Sequence, residues 1–336
     1  VHLSNYMINI FFNPNYFLQS QKKLLLTRSF KYSLFYDMYV RYKYNLKKPI
    51  NEKFIYSGPH YRMNNLLKLK RVDNKISFNQ HHYQNYYFVQ FDSFSHKILE
   101  TIKNDKKNKI LIGPLFDIEY NHKLNREIRN HSNIKKLVAS KSALNTIAYL
   151  DKFDESIKNK TVVFPSGVVS EEEITSKKEY PKKTLKCLIY FKKRNHNELN
   201  LVIKKLIEKN IDYKVFSYGH YTNSDLTKYM KASSFAIILG RTESQGFAIQ
   251  KIMSYNIPIL VWDYNINFVN GDTVRGTSVP YWSSECGEIF SDKIYLESSL
   301  DKIIANLENY EPKEFIKKNL TNEIFYKNIV NVFKKF

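Results

Sequence analysis

The stretch Ser234 to Asp263, SFAIILGRTESQGFAIQKIMSYNIPILVWD, decides the fold. Phe235 to Leu239 is an apolar run of strand length, and Ile257 to Trp262 is a second one enriched in β-branched residues. Between them Ile249, Ile252 and Met253 recur at helical spacing and turn one apolar stripe toward a sheet. The helix carries its own stop signal, because Asn256 suits a left-handed C-terminal cap and Pro258 cannot continue the turn. Strand, helix and strand in that order predict a parallel sheet. The turn Gly240, Arg241, Thr242, Glu243, Ser244, Gln245, Gly246 has no packing explanation. It sets a cation, a carboxylate, two hydroxyls and an amide between two glycines. That is the carboxyl end of a strand and the amino end of a helix, where open α/β sheets bind ligands and free N–H groups favour a phosphate.

Working outward, the second half of the chain alternates strand and helix. Leu185 to Phe191 reads as a strand followed by Lys192, Lys193 and Arg194. Asn195 then caps a helix with Glu198 as its capping-box partner and Leu199, Val202, Ile203 and Leu206 as its apolar stripe. Three cations ahead of a helix N-terminus suit a diphosphate, since side-chain charge and backbone amides favour the same anion. Val215 to Tyr218 is the next strand, with Gly219 and His220 at its end, and a helix from Ser224 to Lys231 leads into the opening stretch. A loop-rich segment follows Asp263, and Pro312 to Phe336 reads as one or two helices.

In the first half, residues 7–12, 53–57 and 86–91 are candidate strands, and KILIGPLFD at 109–117 is the clearest, a buried strand ending in a turn at Gly113-Pro114. A short helical pattern from Asn125, a strand at Lys136 to Ala139, a helix from Ser142 to Leu150 capped by Ser140, and the run TVVFPSGVV at 161–169 complete it. The polar stretch SEEEITSKKEYPKKT at 170–184 reads as the interdomain linker.

The chain of 336 residues suits two domains, and 43% hydrophobic residues can fill their cores. No apolar run approaches the length of a membrane span. The start lacks a basic leader and reads as a first core strand, so the expected location is cytoplasmic. Cys187 and Cys286 are too few for a disulfide framework or a zinc cluster, His60, His81 and His82 lack zinc spacing, and no Asp-x-Asp signature marks a metal-dependent transferase. The net charge of +21 attracts polyanions and makes nucleic acid a possible partner. Against that, only nine of the 53 cationic residues are arginine, and lysine excess also arises from solvent-facing positions in a Lys- and Asn-rich chain.

Glu243, Gly246, Phe247, Asn256 and Pro258 resemble the donor-binding signature of retaining, Glycos_transf_1-like glycosyltransferases of the GT-B fold. The resemblance spans most of 109–336 and is strongest at 185–263. It implies an α/β chain of two facing, Rossmann-like, doubly wound domains with a cleft between them. Residues 1–175 would form the acceptor-side domain, 176–310 the nucleotide-sugar donor domain, and 311–336 a helical tail returning to the first. The implied activity is metal-independent transfer of a hexose or pentose from a nucleotide sugar, UDP- or GDP-linked, to a glycan, lipid or other hydroxyl acceptor with retention, and with no further cofactor. In the family the first acid of the signature holds the donor sugar, here Glu243. A second acid eight residues later holds the ribose, and this chain departs from that pattern with Lys251.

On this reading Lys193, Arg194 and Arg241 neutralise the departing diphosphate, aided by Thr242, Ser244, Gln245, Gly246 and Phe247, while Tyr218 and Gly219 lie by the nucleobase. His60, Tyr61, Arg62 and Gly113 face the acceptor or sugar, and an inverting enzyme would take Asp92 or Asp117 as its base. Two other readings use the same residues: a catalytically degenerate protein that binds a nucleotide sugar or glycan, motivated by Lys251, and a transferase or binding module directed at nucleic acid, motivated by the charge.

Overall fold

The structure, a computed structural model, describes residues 8–11, 65, 76–78, 84–89, 93–115, 122–150, 152, 154–176 and 185–336. The candidate strand at 53–57 and the site candidates His60, Tyr61, Arg62, Asp92 and Asp117 lie outside them.

The first lobe runs β1 (Ile8–Phe11), β2 (Ile76–Phe78), β3 (Asn85–Phe88), α1 (Ser93–Ile102), β4 (Lys109–Leu115), α2 (His122–Asn130), β5 (Ile134–Val138), α3 (Lys141–Leu150), α4 (Glu155–Lys158) and β6 (Thr161–Val163). Its six strands are parallel in the order β2-β1-β3-β4-β5-β6. Side chains alternate between faces at period two. Tyr86, Phe88, Ile110 and Ile112 meet Leu99 and Ile102 of α1 and Leu124 and Ile128 of α2 on one face, whereas Tyr87, Val89, Leu111 and Leu137 pack on the other. Each such aliphatic or aromatic group stabilises the fold by about 1.5 to 3 kcal/mol when fully buried. β4 runs on through Gly113 and Pro114 to Leu115 rather than ending there, with its register against β5 shifted between Ile112 and Leu115.

The second lobe follows α5 (Glu171–Ser176) with β7 (Lys186–Lys192), α6 (His196–Glu208), β8 (Asp212–Ser217), α7 (Asn223–Met230), β9 (Phe235–Gly240), α8 (Phe247–Met253) and β10 (Ile259–Trp262). It ends with the hairpin β11 (Ile266–Val269) and β12 (Asp272–Arg275), then β13 (Gly287–Phe290), α9 (Leu296–Ala305) and α10 (Pro312–Asn319), before α11 (Asn322–Lys334) closes the chain. The five-stranded sheet is parallel in the order β13-β10-β9-β7-β8. Read in sequence this is the doubly wound order 2-1-3-4-5, and the first lobe repeats it with one strand added. Two layers of helices cover the sheet, α7, α8 and α10 over one face and α6 and α9 over the other. The two-lobed, doubly wound α/β architecture implied by the resemblance is the one found.

Two segments cross between the lobes side by side. Val168 donates to the Leu320 carbonyl at 2.9 Å, Asn322 to the Val169 carbonyl at 2.8 Å, and Val169 bridges Thr321 in parallel. They approach so closely at Gly167 that a Cβ there would lie 2.5 Å from the Asn322 Cα. α10 packs in the second lobe with Phe315 and Ile316, whereas Phe325, Tyr326, Ile329, Val330 and Phe333 of α11 fill the core of the first.

Besides β4, two elements differ from the sequence reading. The stretch taken as linker begins with α5, capped reciprocally: Glu173 N–H donates to Ser170 Oγ at 3.1 Å and Ser170 N–H to the Glu173 carboxylate at 3.0 Å. The segment after Asp263 forms a hairpin about Asn270 and Gly271, both with positive φ, 52° and 92°.

Candidate active site

In a 2-1-3-4-5 sheet the crossovers leaving strands 1 and 3 run in opposite directions, which opens a crevice beyond the carboxyl ends of those two strands. Here the strands are β7 and β9, paired in register from Cys187 with Phe235 to Lys192 with Gly240. The residues just past that point therefore share the crevice: Lys192, Lys193 and Arg194 on one side and the 240–246 turn on the other.

Lys192 and Glu243 form an ion pair there, Nζ lying 2.7 Å from one carboxylate oxygen and 2.8 Å from the other. Their side chains are only 16% and 9% exposed, so water screens the pair weakly. The ammonium also lies 4.4 Å from the centroid of the Tyr218 ring, itself 56% exposed. Gly219, next in the chain, has φ 84° and is exposed. Burial and then the Glu243 charge hold the Tyr190 phenol well above its ordinary pKa. Burial pushes its hydrogen-bonding neighbour Tyr221 up to about 12.

The turn is held at both ends. Glu243 N–H donates to the Thr277 carbonyl at 2.9 Å. Thr277 and Ser278 are fixed by the buried Asp263, whose carboxylate accepts the Thr277 hydroxyl, Ser278 N–H at 3.2 Å, Ser278 Oγ at 3.1 Å and Asn265 N–H at 3.1 Å. At the other end the Gln245 side chain pairs with the first lobe, its amide donating to the Ser166 carbonyl at 2.7 Å and accepting from Ser166 N–H at 3.0 Å. Gln250 completes this relay by donating to the Gln245 carbonyl at 2.9 Å. Gly246 follows with φ 83° and leads into α8, where Phe247 is half-buried and Lys251 occupies the last turn.

The expected site residues thus divide. Glu243, Tyr218 and Lys192 come together, with Gly219 beside them and Lys193 exposed in a left-handed conformation, φ 53°. Arg194 is inside the lobe. Its Nε donates to Glu198 at 2.6 Å and Nη1 donates to the Gly240 and Trp262 carbonyls at 3.0 and 2.8 Å, joining the ends of β9 and β10. Glu198 therefore serves Arg194, while Asn195 alone caps α6 through the Asn197 N–H. Thr242 donates to Asn267 at 3.0 Å, and the Arg241 guanidinium lies over the Phe268 ring of the hairpin, 4.7 Å from its centroid. Gly113 lies in the first lobe, its carbonyl accepting the Tyr87 hydroxyl at 2.6 Å. Asp263 and the Lys192–Glu243 pairing were not foreseen. Among the described residues no group of His, Cys, Asp and Glu is placed to hold a metal ion, and no helix is long and apolar enough to cross a membrane.

No protein-family model and no curated protein matches the chain. Among solved structures it is similar to TarM, with 13% identity over 70% of this chain and a TM-score of 0.40. It spans 57% of TarM's length. It is also similar to sucrose-phosphate synthase from Thermosynechococcus elongatus, with 11% identity, 98% of this chain, 99% of that chain and a TM-score of 0.46. A third is the lipopolysaccharide outer core galactosyltransferase WaaB, with 11% identity, 82% of this chain, 80% of that chain and a TM-score of 0.49. These likenesses are loose, and the functional reading stands on the chain's own residues.

Proposed function

We propose that the chain is a glycosyltransferase that carries a sugar from a nucleotide-sugar donor to an acceptor hydroxyl, with the donor on the second lobe. The observation that supports this best is the shielded Lys192–Glu243 pair at the strand-order reversal of a parallel sheet. The motif Glu243, Gly246, Phe247, Asn256 and Pro258 points the same way.

Binding is then an exchange of partners. The donor's diphosphate takes Lys192, with Lys193 and the amino end of α6 adding positive potential. Glu243, released, accepts hydrogen bonds from the sugar hydroxyls, and the exposed Tyr218 ring beside Gly219 offers a stacking surface to the base. As the sugar leaves, charge grows on the phosphate oxygen next to Lys192, so the cation stabilises the transition state more than the ground state. Retention follows if that phosphate oxygen takes the acceptor proton on the same face of the sugar, a route that needs neither an enzymic base nor a metal. Lys251, where the family pattern has an acid, bears on how the ribose is held.

The test is turnover and binding across a panel of UDP-, GDP-, ADP- and CDP-sugars. One donor is expected to be consumed with its anomeric configuration retained, and Glu243→Ala is expected to abolish transfer while leaving the melting temperature of the fold readable. Near-normal turnover by Glu243→Ala would remove the assignment, and donor binding without turnover on any acceptor would favour the nucleotide-sugar-binding reading.

A further inference from the structure

Arg241 stands two residues from Glu243 in the same turn. Its guanidinium lies 4.7 Å from the centroid of the Phe268 ring on the hairpin, is exposed, and forms no ion pair among the described residues. Phe268 is itself 50% exposed.

Both residues are held in place by their neighbours. Thr242, beside Arg241, donates to Asn267 Oδ1 at 3.0 Å, and Asn267, beside Phe268, donates through Nδ2 to Thr146 of α3 at 3.1 Å. On the opposite strand Asn145 of α3 donates to the Arg275 carbonyl at 3.0 Å and the Tyr149 hydroxyl bonds Asp272. The Arg241–Phe268 unit therefore sits on the seam between the lobes at a fixed offset from Glu243. A guanidinium stacked on a ring has already given up much of its freedom, and its in-plane N–H donors remain free for a carboxylate, sulfate or phosphate. Arg241 covers one part of the ring, and the exposed remainder presents apolar surface of the kind that the C–H face of a sugar covers. The net charge of +21 favours an anionic partner at long range.

We propose that Arg241 and Phe268 form an acceptor subsite for an acidic glycan, whose sugar ring packs on Phe268 while its anionic group pairs with Arg241. The acceptor label rests on the glycosyltransferase reading above; the anionic-glycan site itself does not.

The test is calorimetric titration of the full chain with a hyaluronan tetrasaccharide, neutral cellotetraose, a single-stranded DNA tetranucleotide and, separately, UDP and GDP. The hyaluronan tetrasaccharide is expected to bind, and Phe268→Ala and Arg241→Ala are each expected to weaken it by about ten-fold, the loss of one charged hydrogen bond or its platform. Arg241→Lys is expected to recover only part, since a point charge lacks the fork. Nucleoside diphosphate affinity in Phe268→Ala is expected to stay within about two-fold of the parent. Equal binding of cellotetraose, equal Arg241-dependent binding of the tetranucleotide, indifference of the acidic sugar to both substitutions, or a parallel loss of nucleoside diphosphate binding in Phe268→Ala would each overturn the subsite. If the parent binds the acidic sugar through Arg241 but no nucleoside diphosphate, the donor reading fails and the anionic-glycan site stands.

Discussion

Lys192→Met removes the ammonium that holds Glu243 while keeping an unbranched apolar stem of similar length beneath Tyr218. The pair is short on both oxygens, 2.7 and 2.8 Å, with side chains 16% and 9% exposed. Two unit charges about 4 Å apart interact by about 4 kcal/mol at the effective dielectric of a protein edge, against about 1 kcal/mol in water. Removing one partner of a buried pair strands the other and costs about 3 to 5 kcal/mol. The exposure of Lys192 places this case at the low end, about 3 kcal/mol. For domains of this size each kcal/mol moves the midpoint by about 2 to 4 °C, so Lys192→Met is expected to melt roughly 6 to 12 °C lower. Glu243→Gln is expected to lose stability as well. The double variant Lys192→Met/Glu243→Gln, which strands no charge, is expected to regain much of it, with a coupling energy of about 2 kcal/mol. Thermal unfolding followed by circular dichroism, repeated at low and high salt, gives all four corners of the cycle. Single variants within about 0.5 kcal/mol of the parent that add in the double variant would refute the reasoning, because Glu243 would then be solvated independently of Lys192.

Gly167→Ala puts a methyl 2.5 Å from the Asn322 Cα, a backbone contact with no flexible group to yield, and a loss of about 2 to 3 kcal/mol in urea unfolding is expected; a neutral result would mean the two crossings separate freely. Asp263→Asn leaves at least one donor at residues 277–278 facing an amide, which is expected to cost about 2 to 3 kcal/mol and to lower turnover by loosening the Thr277 carbonyl that holds Glu243, read as melting temperature and kcat together. Burial holds the half-buried Glu323 carboxyl above the ordinary glutamate value. Its protonated form favours the folded state, so that contribution is full at low pH and is lost as pH rises through the raised value. In unfolding measurements Glu323→Gln is expected to gain on the parent as pH rises from the ordinary glutamate value, about 4.3, through the raised one, and parallel pH profiles would contradict this.

Much of the second lobe is legible from local pattern alone. β9, α8 and β10 follow from apolar runs and a helical stripe, and Asn256 takes the positive φ expected of its cap, 56°. Two missed elements carried signals of their own: Asn270-Gly271 is a strong hairpin dipeptide, and Ser170 with Glu173 is a capping box that the surrounding charge concealed. Gly113-Pro114 looked like a strand end because proline lacks a ladder donor, yet the strand absorbs it with a register shift. The site was legible as a neighbourhood and not as a set of contacts. Which of Lys192, Lys193 and Arg194 meets Glu243 depends on the pleat of β7 and on β9 lying beside it, a pairing across 51 residues that no local spacing encodes. Arg194 reads like its neighbours until β10 arrives on the far side of β9 and offers the Trp262 carbonyl.

The central claim is that donor phosphates displace Glu243 from Lys192 beyond the carboxyl ends of β7 and β9. A crystal structure with a bound nucleoside diphosphate sugar tests it most directly. The account predicts a phosphate oxygen within hydrogen-bond distance of Lys192 Nζ and the Glu243 carboxylate turned to the sugar hydroxyls. A nucleotide bound elsewhere with the Lys192–Glu243 pair intact would contradict it.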